Sequence, residues 1–478
     1  MNLPRLARWL RRGILWSAGL AVLTVLPASV PAAPAVPRPN VLCVVTDDLS
    51  AWALGCYGNR DSRTPHLDRL AREGGRFLNS FVVTPVCSPS RASFLTGRHG
   101  TQVGITDWIN PQEAKAGLGL PVGSSTWPRI LQQAGYATGL AGKWHLGEQP
   151  QFHPTRFGFD SFMGGLGGAY GARNPQLEVG GQVRTVEGFS ADVVTDAALG
   201  FLGTNASRPF LLMVHYREPH APYAPVAEED NAPFRDLDPA IPDFPGLNAA
   251  QVKNWTRQYY AALHAVDRSV GRLLDRLETL KVADRTIVIF TSDNGYMIGH
   301  HGMHMKGNGH LITAEGNGRG RQRPNLFEES LRVPLILRWP GVVRGGTEYR
   351  ETVCNLDFWA TVPSMLGLKS PGDWRQEGRD FSPLLRGEPY TPRRELFGQY
   401  DLHHGGRAAL RMVRTEDWKL VRDYRPNGRN ELYDLRHDPG ERRNVYGEAA
   451  VREVQADLQG RLSAWMRGIG DAPPEPKP

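Results

Sequence analysis

The chain has 478 residues, of which 40% are hydrophobic and 22% charged, a composition typical of a globular protein with a large core rather than of a disordered chain. Its formal net charge of +7 suits a small anionic substrate, but no Lys/Arg-rich run interleaved with aromatic residues occurs, so no nucleic-acid partner is expected. The four cysteines, without a CxxC pair, indicate neither a disulfide framework nor zinc bound by thiolates. They are Cys43, Cys56, Cys87 and Cys354.

The N-terminal segment has the features of a secretory signal peptide. Four arginines precede an apolar run over residues 14–26, and the small residues and prolines of SVPAAPA follow it. The run is shorter than the roughly 20 apolar residues that a bilayer requires, so we predict a cleaved signal peptide over residues 1–35 and no stable membrane span. The protein is expected to be exported, periplasmic or secreted. A retained anchor is the weaker alternative, and both the general and the twin-arginine routes stay open.

Two similar segments predict buried strands of a parallel sheet: NVLCVVTDD at residues 40–48 and TIVIFTSDN at residues 286–294. Near-continuous apolar runs are typical of strands covered by helices on both faces. Because ligands collect beyond the carboxyl ends of such strands, the polar residues that end the two segments are expected to meet at one edge. These residues are Asp47, Asp48, Asp293 and Asn294.

Other patterns support an α/β protein with a large α/β/α sandwich domain. A third apolar run, PFLLMV at residues 209–214, ends near His215 and His220. We interpret His215 as a strand-end residue. Helical periodicity between the runs indicates covering helices, and we interpret His264 and Asp267 within one of them as structural residues.

The pattern of apolar and polar residues changes beyond about residue 393. Short alternating runs separated by turn residues predict hairpins of a smaller antiparallel sheet. We therefore expect a catalytic domain over residues 36–392, a small α+β subdomain over residues 393–470 and a disordered tail over residues 471–478.

The segment TPVCSPSRASFLTGR, at residues 84–98, carries the most specific signal. Pro89 and Ser90 are good first-turn residues, so Cys87 is expected just before the N-terminus of a helix, where backbone N–H groups and the helix dipole favour an anion. Arg91 adds a positive charge one turn along. This placement predicts a thiolate of low pKa or a group made from one. The alternative is a buried thiol beside an ordinary helix start.

The Cys-x-Pro-x-Arg core, followed by LTGR, closely resembles the signature of the sulfatase family, part of the alkaline-phosphatase-like superfamily. The resemblance extends over about residues 40–340 and through the C-terminal stretches RTEDWKL and ELYDLRHDPGE. It implies that a formylglycine-generating enzyme oxidises Cys87 to the aldehyde formylglycine during maturation. One hydroxyl of the hydrated aldehyde attacks sulfur and releases the alcohol. The other then loses its proton, so that sulfate is expelled and the aldehyde returns.

The resemblance also implies a metal centre. The four strand-end residues Asp47, Asp48, Asp293 and Asn294 match the family's metal ligands, together with the modified Cys87. Their oxygen atoms suit a hard divalent cation. Calcium is the family's usual ion and magnesium is the alternative. Such an ion polarises the ester and offsets charge in the transition state.

Four further residues match the family's sulfate-binding and proton-transferring groups. In GKWHLG, Lys143 corresponds to a ligand of a sulfate oxygen and His145 to the hydrogen-bond partner of the formylglycine hydroxyl. His220, within PHAP, corresponds to the histidine that contacts sulfate and protonates the departing alcohol. Lys306 corresponds to a second sulfate-binding lysine, although a longer link than in compact members of the family separates it from the acidic segment FEESLRVP.

Three features permit two interpretations each. In the inserted loop at residues 307–324, arginines 319, 321 and 323 either grip a carboxylate or second sulfate or, as we favour, remain solvated. The glycine-rich stretch GGLGGAYGARNPQ, at residues 164–176, is either a flexible active-site loop or a linker. His403 and His404 either line a substrate pocket or, as we favour, lie on the surface.

The sequence thus predicts an exported, metal-dependent hydrolase that acts on a sulfated small molecule or saccharide. A sugar, an aryl group and choline all remain possible as the alcohol. One alternative function is hydrolysis of phosphate or phosphonate esters on the same scaffold. The other is a non-catalytic binding protein in which Cys87 stays unmodified.

Overall fold

The computed structural model describes residues 38–313, 321–372 and 374–472. The predicted signal peptide lies outside these ranges, as do residues 473–478 of the predicted tail. The strands are β1 (Asn40–Thr46), β2 (Gly75–Phe77), β3 (Ser80–Phe81), β4 (Ala137–Lys143), β5 (Ser161–Gly165), β6 (Gln176–Val179), β7 (Gln182–Thr185), β8 (Phe210–His215), β9 (Thr286–Ser292), β10 (Met297–Ile298), β11 (Met303–Met305), β12 (His310–Leu311), β13 (Leu335–Arg338), β14 (Thr347–Tyr349), β15 (Val353–Cys354), β16 (Leu396–Tyr400), β17 (Leu410–Arg414), β18 (Trp418–Asp423) and β19 (Glu431–Asp434). The helices are α1 (Pro65–Glu73), α2 (Cys87–Thr96), α3 (Gly100–Val103), α4 (Pro111–Lys115), α5 (Trp127–Gln133), α6 (Ser190–Asn205), α7 (Glu228–Asn231), α8 (Ala249–Thr279), α9 (Glu328–Leu331), α10 (Phe358–Met365), α11 (Ser382–Leu385) and α12 (Arg452–Ile469).

The two segments predicted as buried strands lie side by side at the centre of a large mixed sheet. β1 pairs in parallel with β9 on one side and with β8 on the other, and β4 continues the parallel part beyond β8. The full order is β14-β2-β13-β9-β1-β8-β4-β5-β6-β7. Alternate residues of β1 enter two separate cores, with Val41, Cys43 and Val45 on one face and Leu42 and Val44 on the other. This two-sided burial is why the strand is apolar at successive positions.

Helices cover both faces of the sheet. Helices α2, α5 and α10 contribute to one core, and α1, α6 and α8 contribute to the other. The predicted α/β/α architecture is therefore confirmed. On α8, His264 contacts the Asp230 carboxylate at 2.8 Å, and Asp267 accepts the backbone N–H groups of His66 and Leu67 at the start of α1. Both α8 residues are structural, as predicted.

A smaller antiparallel sheet follows in the C-terminal part, with the order β16-β17-β18-β19, and this prediction is also confirmed. α12 covers one face of the small sheet through Leu458 and Leu462. The other face packs against the segment after β2, where Phe81 contributes to a shared core with Tyr400 and Met412. The small sheet is thereby fixed beside the segment that leads into α2.

The end of the described chain is attached to this sheet. Asp471, which the sequence analysis places in the tail, is buried, and its carboxylate accepts a hydrogen bond of 3.0 Å from the Arg411 guanidinium. None of the described helices combines the length and the hydropathy that a membrane-spanning helix requires.

Candidate active site

The polar residues that end β1 and β9 meet at one edge of the sheet, as the strand pattern predicts. The two strands are in register up to the pair Thr46 and Ser292. Just beyond that pair, the Asp48 N–H donates to Asp293 Oδ1 at 3.3 Å, and Asn294 Nδ2 donates to Asp48 Oδ1 at 2.7 Å. The Asp47 carboxylate adjoins this group and is fully buried.

Cys87 is the first residue of α2 and is only 4% exposed. Burial raises the pKa of its thiol, an effect that the ammonium groups of Lys143 and Lys306 oppose without cancelling. The predicted low-pKa thiolate is therefore wrong, because desolvation at this depth outweighs the charges around the sulfur. An unmodified thiol at this position is protonated at neutral pH and is a weak nucleophile.

Arg91 lies one turn along α2 and connects three parts of the site. Its Nε donates to Asp293 Oδ2 at 2.9 Å, and its Nη1 donates to the Lys143 carbonyl at 3.2 Å. Nη1 also lies 3.1 Å from His215 Nδ1. His215 is the last residue of β8 and is buried, so its predicted place at a strand end is confirmed.

Two lysines face the aspartates from opposite sides. Lys143, at the end of β4, contacts Asp47, and Lys306 contacts Asp48. The Lys306 Nζ also lies 3.8 Å from Cys87 Sγ and 3.7 Å from Asp47 Oδ1. Despite the inserted loop that follows it, Lys306 therefore belongs to the same pocket as Cys87.

His145 contacts the main chain of the loop before α4, because its Nε2 donates to the Ile109 carbonyl at 2.9 Å. That hydrogen bond leaves Nδ1 as the acceptor nitrogen, and Nδ1 is buried without a hydrogen-bond partner among the described residues. Burial lowers the pKa of His145 well below its ordinary value. The imidazole is thus neutral and able to accept a proton at Nδ1.

The glycine-rich stretch forms a wall beside His145. It continues from β5, and the His145 N–H donates to the Leu166 carbonyl at 3.0 Å. A Cβ atom at Gly168 would lie 2.4 Å from His145 Nε2. This position requires glycine because any side chain would displace the imidazole.

His220 lies at the open side of the pocket, with 25% of its side chain exposed and Nε2 at 3.7 Å from Asp48 Oδ2. Its Nδ1 donates to the Ala221 carbonyl at 2.6 Å, so Nε2 is the nitrogen that faces the carboxylate. Burial lowers the pKa of His220 to about 3. A substrate anion beside this imidazole would shift the pKa upward.

Two supporting residues were missed in the sequence analysis. Arg217 is 3% exposed; its carbonyl accepts the His220 N–H at 3.0 Å and its Nη2 donates to the Pro222 carbonyl at 2.7 Å. It therefore fixes the turn that carries His220 from both ends. Asn355 donates to Ser90 Oγ at 3.0 Å, and that hydroxyl in turn contacts the Asp293 carbonyl. The signal in the sequence that could have indicated Arg217 is its charge, at a position between an apolar run and PHAP.

The described part of the inserted loop is attached to the small sheet. Arg323 donates to Glu431 at 2.8 Å and its guanidinium lies 4.5 Å from the Phe327 ring. Arg321 is exposed, and arginine 319 lies outside the described residues. Arg323 thus has a structural partner rather than the solvated position that we favoured.

The strand-end oxygens fit a divalent cation. Asp47 Oδ1 is buried without a hydrogen-bond partner among the described residues. Burial, and after it the nearby Asp47 carboxylate, raise the pKa of Asp293 to about 6, so both the loss of water and the crowding of negative charges disfavour its ionised form. A hard cation would satisfy the Asp47 oxygen and relieve the crowding.

Comparisons with known proteins identify the family. A profile of the sulfatase family matches residues 39–368, and a profile described as N-sulphoglucosamine sulphohydrolase, C-terminal, matches residues 322–467. The N-acetylglucosamine-6-O-sulfatase of Bacteroides thetaiotaomicron is 27% identical, over 96% of this chain and 91% of its own length. The steryl-sulfatase of Mus musculus is 31% identical, over 97% and 87% respectively.

A solved structure shows the same fold over nearly the whole chain. It is BT4656 in complex with its substrate D-glucosamine-2-N,6-O-disulfate, which is 26% identical and superimposes with a TM-score of 0.78 over 91% of this chain and 99% of that chain. The chain therefore belongs to the sulfatase family of the alkaline-phosphatase-like superfamily, and it is an enzyme that hydrolyses sulfate esters.

Proposed function

We propose that the protein removes a sulfate group from a 6-O-sulfated hexosamine, with a formylglycine derived from Cys87 as nucleophile. The observation that carries the chemistry is a group of three buried cations near the start of α2: Lys306 Nζ lies 3.8 Å from Cys87 Sγ, Lys143 contacts Asp47, and Arg91 donates to Asp293. With a divalent cation bound beside the three carboxylates, the pocket carries a net positive charge, which favours a sulfate group over a neutral ligand. The sugar is suggested by N-acetylglucosamine-6-O-sulfatase and by the substrate of BT4656.

We assign the metal site to Asp47, Asp48, Asp293 and Asn294, with residue 87 as the remaining ligand. All four side chains offer hard oxygen atoms, and calcium is the expected ion, with magnesium as the alternative. When bound, the ion would polarise the sulfate oxygens and offset the charge that develops on them.

The other residues bind the ester and move protons. Lys143 and Lys306 hold the sulfate oxygens against residue 87. The hydrated aldehyde supplies the attacking hydroxyl and a second hydroxyl whose deprotonation expels sulfate. His145 Nδ1 takes that proton, because Nε2 is already committed to Ile109. His220 becomes protonated at Nε2 when the bound sulfate ester raises its pKa, and it gives that proton to the departing alcohol.

Maturation and location follow from the same proposal. Because Cys87 is buried in the folded protein, a formylglycine-generating enzyme must act on it before folding is complete. The predicted signal peptide then directs the protein out of the cytoplasm, to the periplasm or the medium.

The test compares protein made with and without a co-expressed formylglycine-generating enzyme. Mass spectrometry of the peptide containing residue 87 is expected to detect the aldehyde only with co-expression, and sulfate release from N-acetylglucosamine 6-O-sulfate is expected to increase with it. An active protein with an intact thiol would refute the mechanism. Faster turnover of the 6-phosphate than of the 6-sulfate would instead favour a phosphatase.

A further inference from the structure

The mouth of the pocket is bordered by segments that are far apart in sequence. The Gly307 N–H, next to Lys306, donates to the Pro85 carbonyl at 3.1 Å, two residues before Cys87. Further along the same loop, Gln322 Oε1 accepts the Gly406 N–H at 2.6 Å. This contact joins the loop after β16 to the segment that precedes α9.

The segment before α4 completes that border. The Ile109 N–H donates to Ser88 Oγ at 3.0 Å, and the Ile109 carbonyl accepts the hydrogen bond from His145. The backbone at Ile109 is therefore fixed between the residue after Cys87 and a proposed catalytic histidine. Its neighbours Trp108 and Asn110 are partly exposed and are held close to these pocket residues through Ile109.

Four side chains meet at this place, and we call them the rim cluster: Asp107, Glu113, His403 and His404. His403 Nε2 lies 2.9 Å from Glu113 Oε1, and His404 Nε2 lies 3.1 Å from the same oxygen. Asn110 Nδ2 lies 2.9 Å from His404 Nε2. The two histidines thus converge on one carboxylate, and they are not the ordinary surface residues that we favoured from the sequence.

The rim cluster has a buried base and an accessible edge. Asp107 is fully buried and accepts hydrogen bonds from the Tyr400 hydroxyl at 3.0 Å and from the His403 N–H at 3.0 Å. The outer side chains keep partial access to solvent, 34% for His403 and 25% for Glu113. Polar side chains that are fixed by buried hydrogen bonds and are partly exposed to solvent are preorganised to bind a ligand.

The chemistry of the cluster selects the kind of ligand. A carboxylate flanked by imidazoles accepts hydrogen bonds from hydroxyl groups, and the imidazoles can donate or accept. The Trp108 ring, 4.7 Å from the His404 ring, adds an apolar face of the kind that packs against a pyranose. The Glu113 carboxylate at this edge disfavours a second sulfate or a uronate, because like charges would then face each other.

We propose that the rim cluster is the subsite that binds the free hydroxyl groups of the sugar whose sulfate occupies the pocket. The proposal rests on the proposed function and adds to it the residues that recognise the saccharide. A sulfated alcohol without hydroxyl groups would occupy the sulfate pocket and leave the rim cluster uncontacted.

The experiment compares two substrates in the formylglycine-containing enzyme, N-acetylglucosamine 6-O-sulfate and 4-nitrophenyl sulfate. We expect His403→Ala and Glu113→Gln each to lower kcat/KM for the saccharide by about 10- to 100-fold, the value of hydrogen bonds to a charged group. The loss should appear mainly in KM, and activity on the aryl sulfate should stay within about 3-fold of the wild type. The matched control is His437→Ala, since His437 also pairs with a carboxylate but is 77% exposed on the small sheet.

The outcomes separate this inference from the proposed function. Equal losses on both substrates, or no loss on either, would overturn the saccharide subsite. If the wild-type enzyme hydrolyses 4-nitrophenyl sulfate but not N-acetylglucosamine 6-O-sulfate, the saccharide subsite is also overturned. The sulfatase chemistry would then be unaffected. Absence of both activities from protein whose residue 87 is an aldehyde would reject the proposed function itself.

Discussion

The sulfate pocket and the rim cluster are built in opposite ways. The pocket uses residues at the ends of strands and at the start of α2, and Asp47, Arg91 and Lys143 are all at most 2% exposed. The rim cluster uses the loop after β16 and the segment that runs into the short helix α4, and its contact between His403 and Glu113 joins residues 290 positions apart. In the pocket Arg91, Lys143 and Lys306 each contact a buried carboxylate, whereas in the rim cluster His403 and Glu113 keep partial access to solvent.

This difference separates chemistry from selectivity. A buried sheet edge cannot change without disturbing β1 and β9, so the sulfate pocket is tied to the fold. Loops tolerate substitution and carry the contacts that distinguish one alcohol from another. Relatives as different as a steryl-sulfatase and an N-acetylglucosamine-6-O-sulfatase match this chain over most of its length, which fits a common pocket with a variable rim.

The largest expected effect comes from a substitution that removes the nucleophile and leaves the rim cluster unchanged. Cys87→Ala is expected to lower kcat by at least about 10⁴-fold, as for other nucleophiles, because no hydroxyl can then attack sulfur. Calorimetry should still detect the saccharide sulfate, since neither the lysines nor the rim cluster has changed. Cys354→Ala is the control, a buried thiol outside the pocket. Full activity of the Cys87 variant would place the nucleophile elsewhere.

The next effect tests the proposed general acid, His220. We expect His220→Gln to lower kcat/KM for the saccharide sulfate by about 10²- to 10⁴-fold, the usual contribution of a general acid. The loss on 4-nitrophenyl sulfate should be about 10-fold at most, because nitrophenolate leaves without protonation. Parallel measurements on both substrates check this. A uniform loss would indicate that His220 binds sulfate and does not protonate the alcohol.

Much of the pocket could be predicted because its residues follow patterns that are local in sequence. The strand-end positions of Asp47 and Asp293 are visible in two apolar runs, and the neighbours of Cys87 form one continuous motif. Lys306 lies beside Cys87 as well, because the residue after it contacts the segment before α2 whatever the length of the loop beyond.

The remaining features depend on packing that no local pattern encodes. The raised pKa of Cys87 reflects its depth in the protein, which a helix start does not specify. Arg217 acts through two main-chain contacts around a turn. The rim cluster requires the small sheet to pack beside α2, and the sequence indicates the sheet without indicating where it docks.

A third substitution tests the position of the His145 imidazole. Gly168→Ala places a methyl group 2.4 Å from His145 Nε2, so the imidazole must move away from both Ile109 and the pocket. We expect kcat to fall by about 10²-fold, as for other displacements near 1 Å. Unlike the rim variants, it should affect the aryl and saccharide sulfates equally. Gly200→Ala is the control, because a Cβ there meets nothing within 4 Å; similar losses in both variants would contradict the argument.

The smallest effect concerns the stability of the protein and not its substrate preference. His99 is buried, with its ring 5.0 Å from that of Trp465 on α12. Burial, together with Arg393 and Arg411, lowers its pKa from 6.5 to about 3. Since the unfolded chain binds this proton first, the stability that neutral His99 provides is complete above pH 6.5 and is lost as the pH falls towards 3. From pH 8 to pH 5 the loss is about 2 kcal/mol.

His99→Phe should therefore lose less stability than the wild type over this range in urea unfolding, while its substrate preference stays unchanged. An identical pH dependence in the two proteins would show that His99 does not contribute to acid sensitivity.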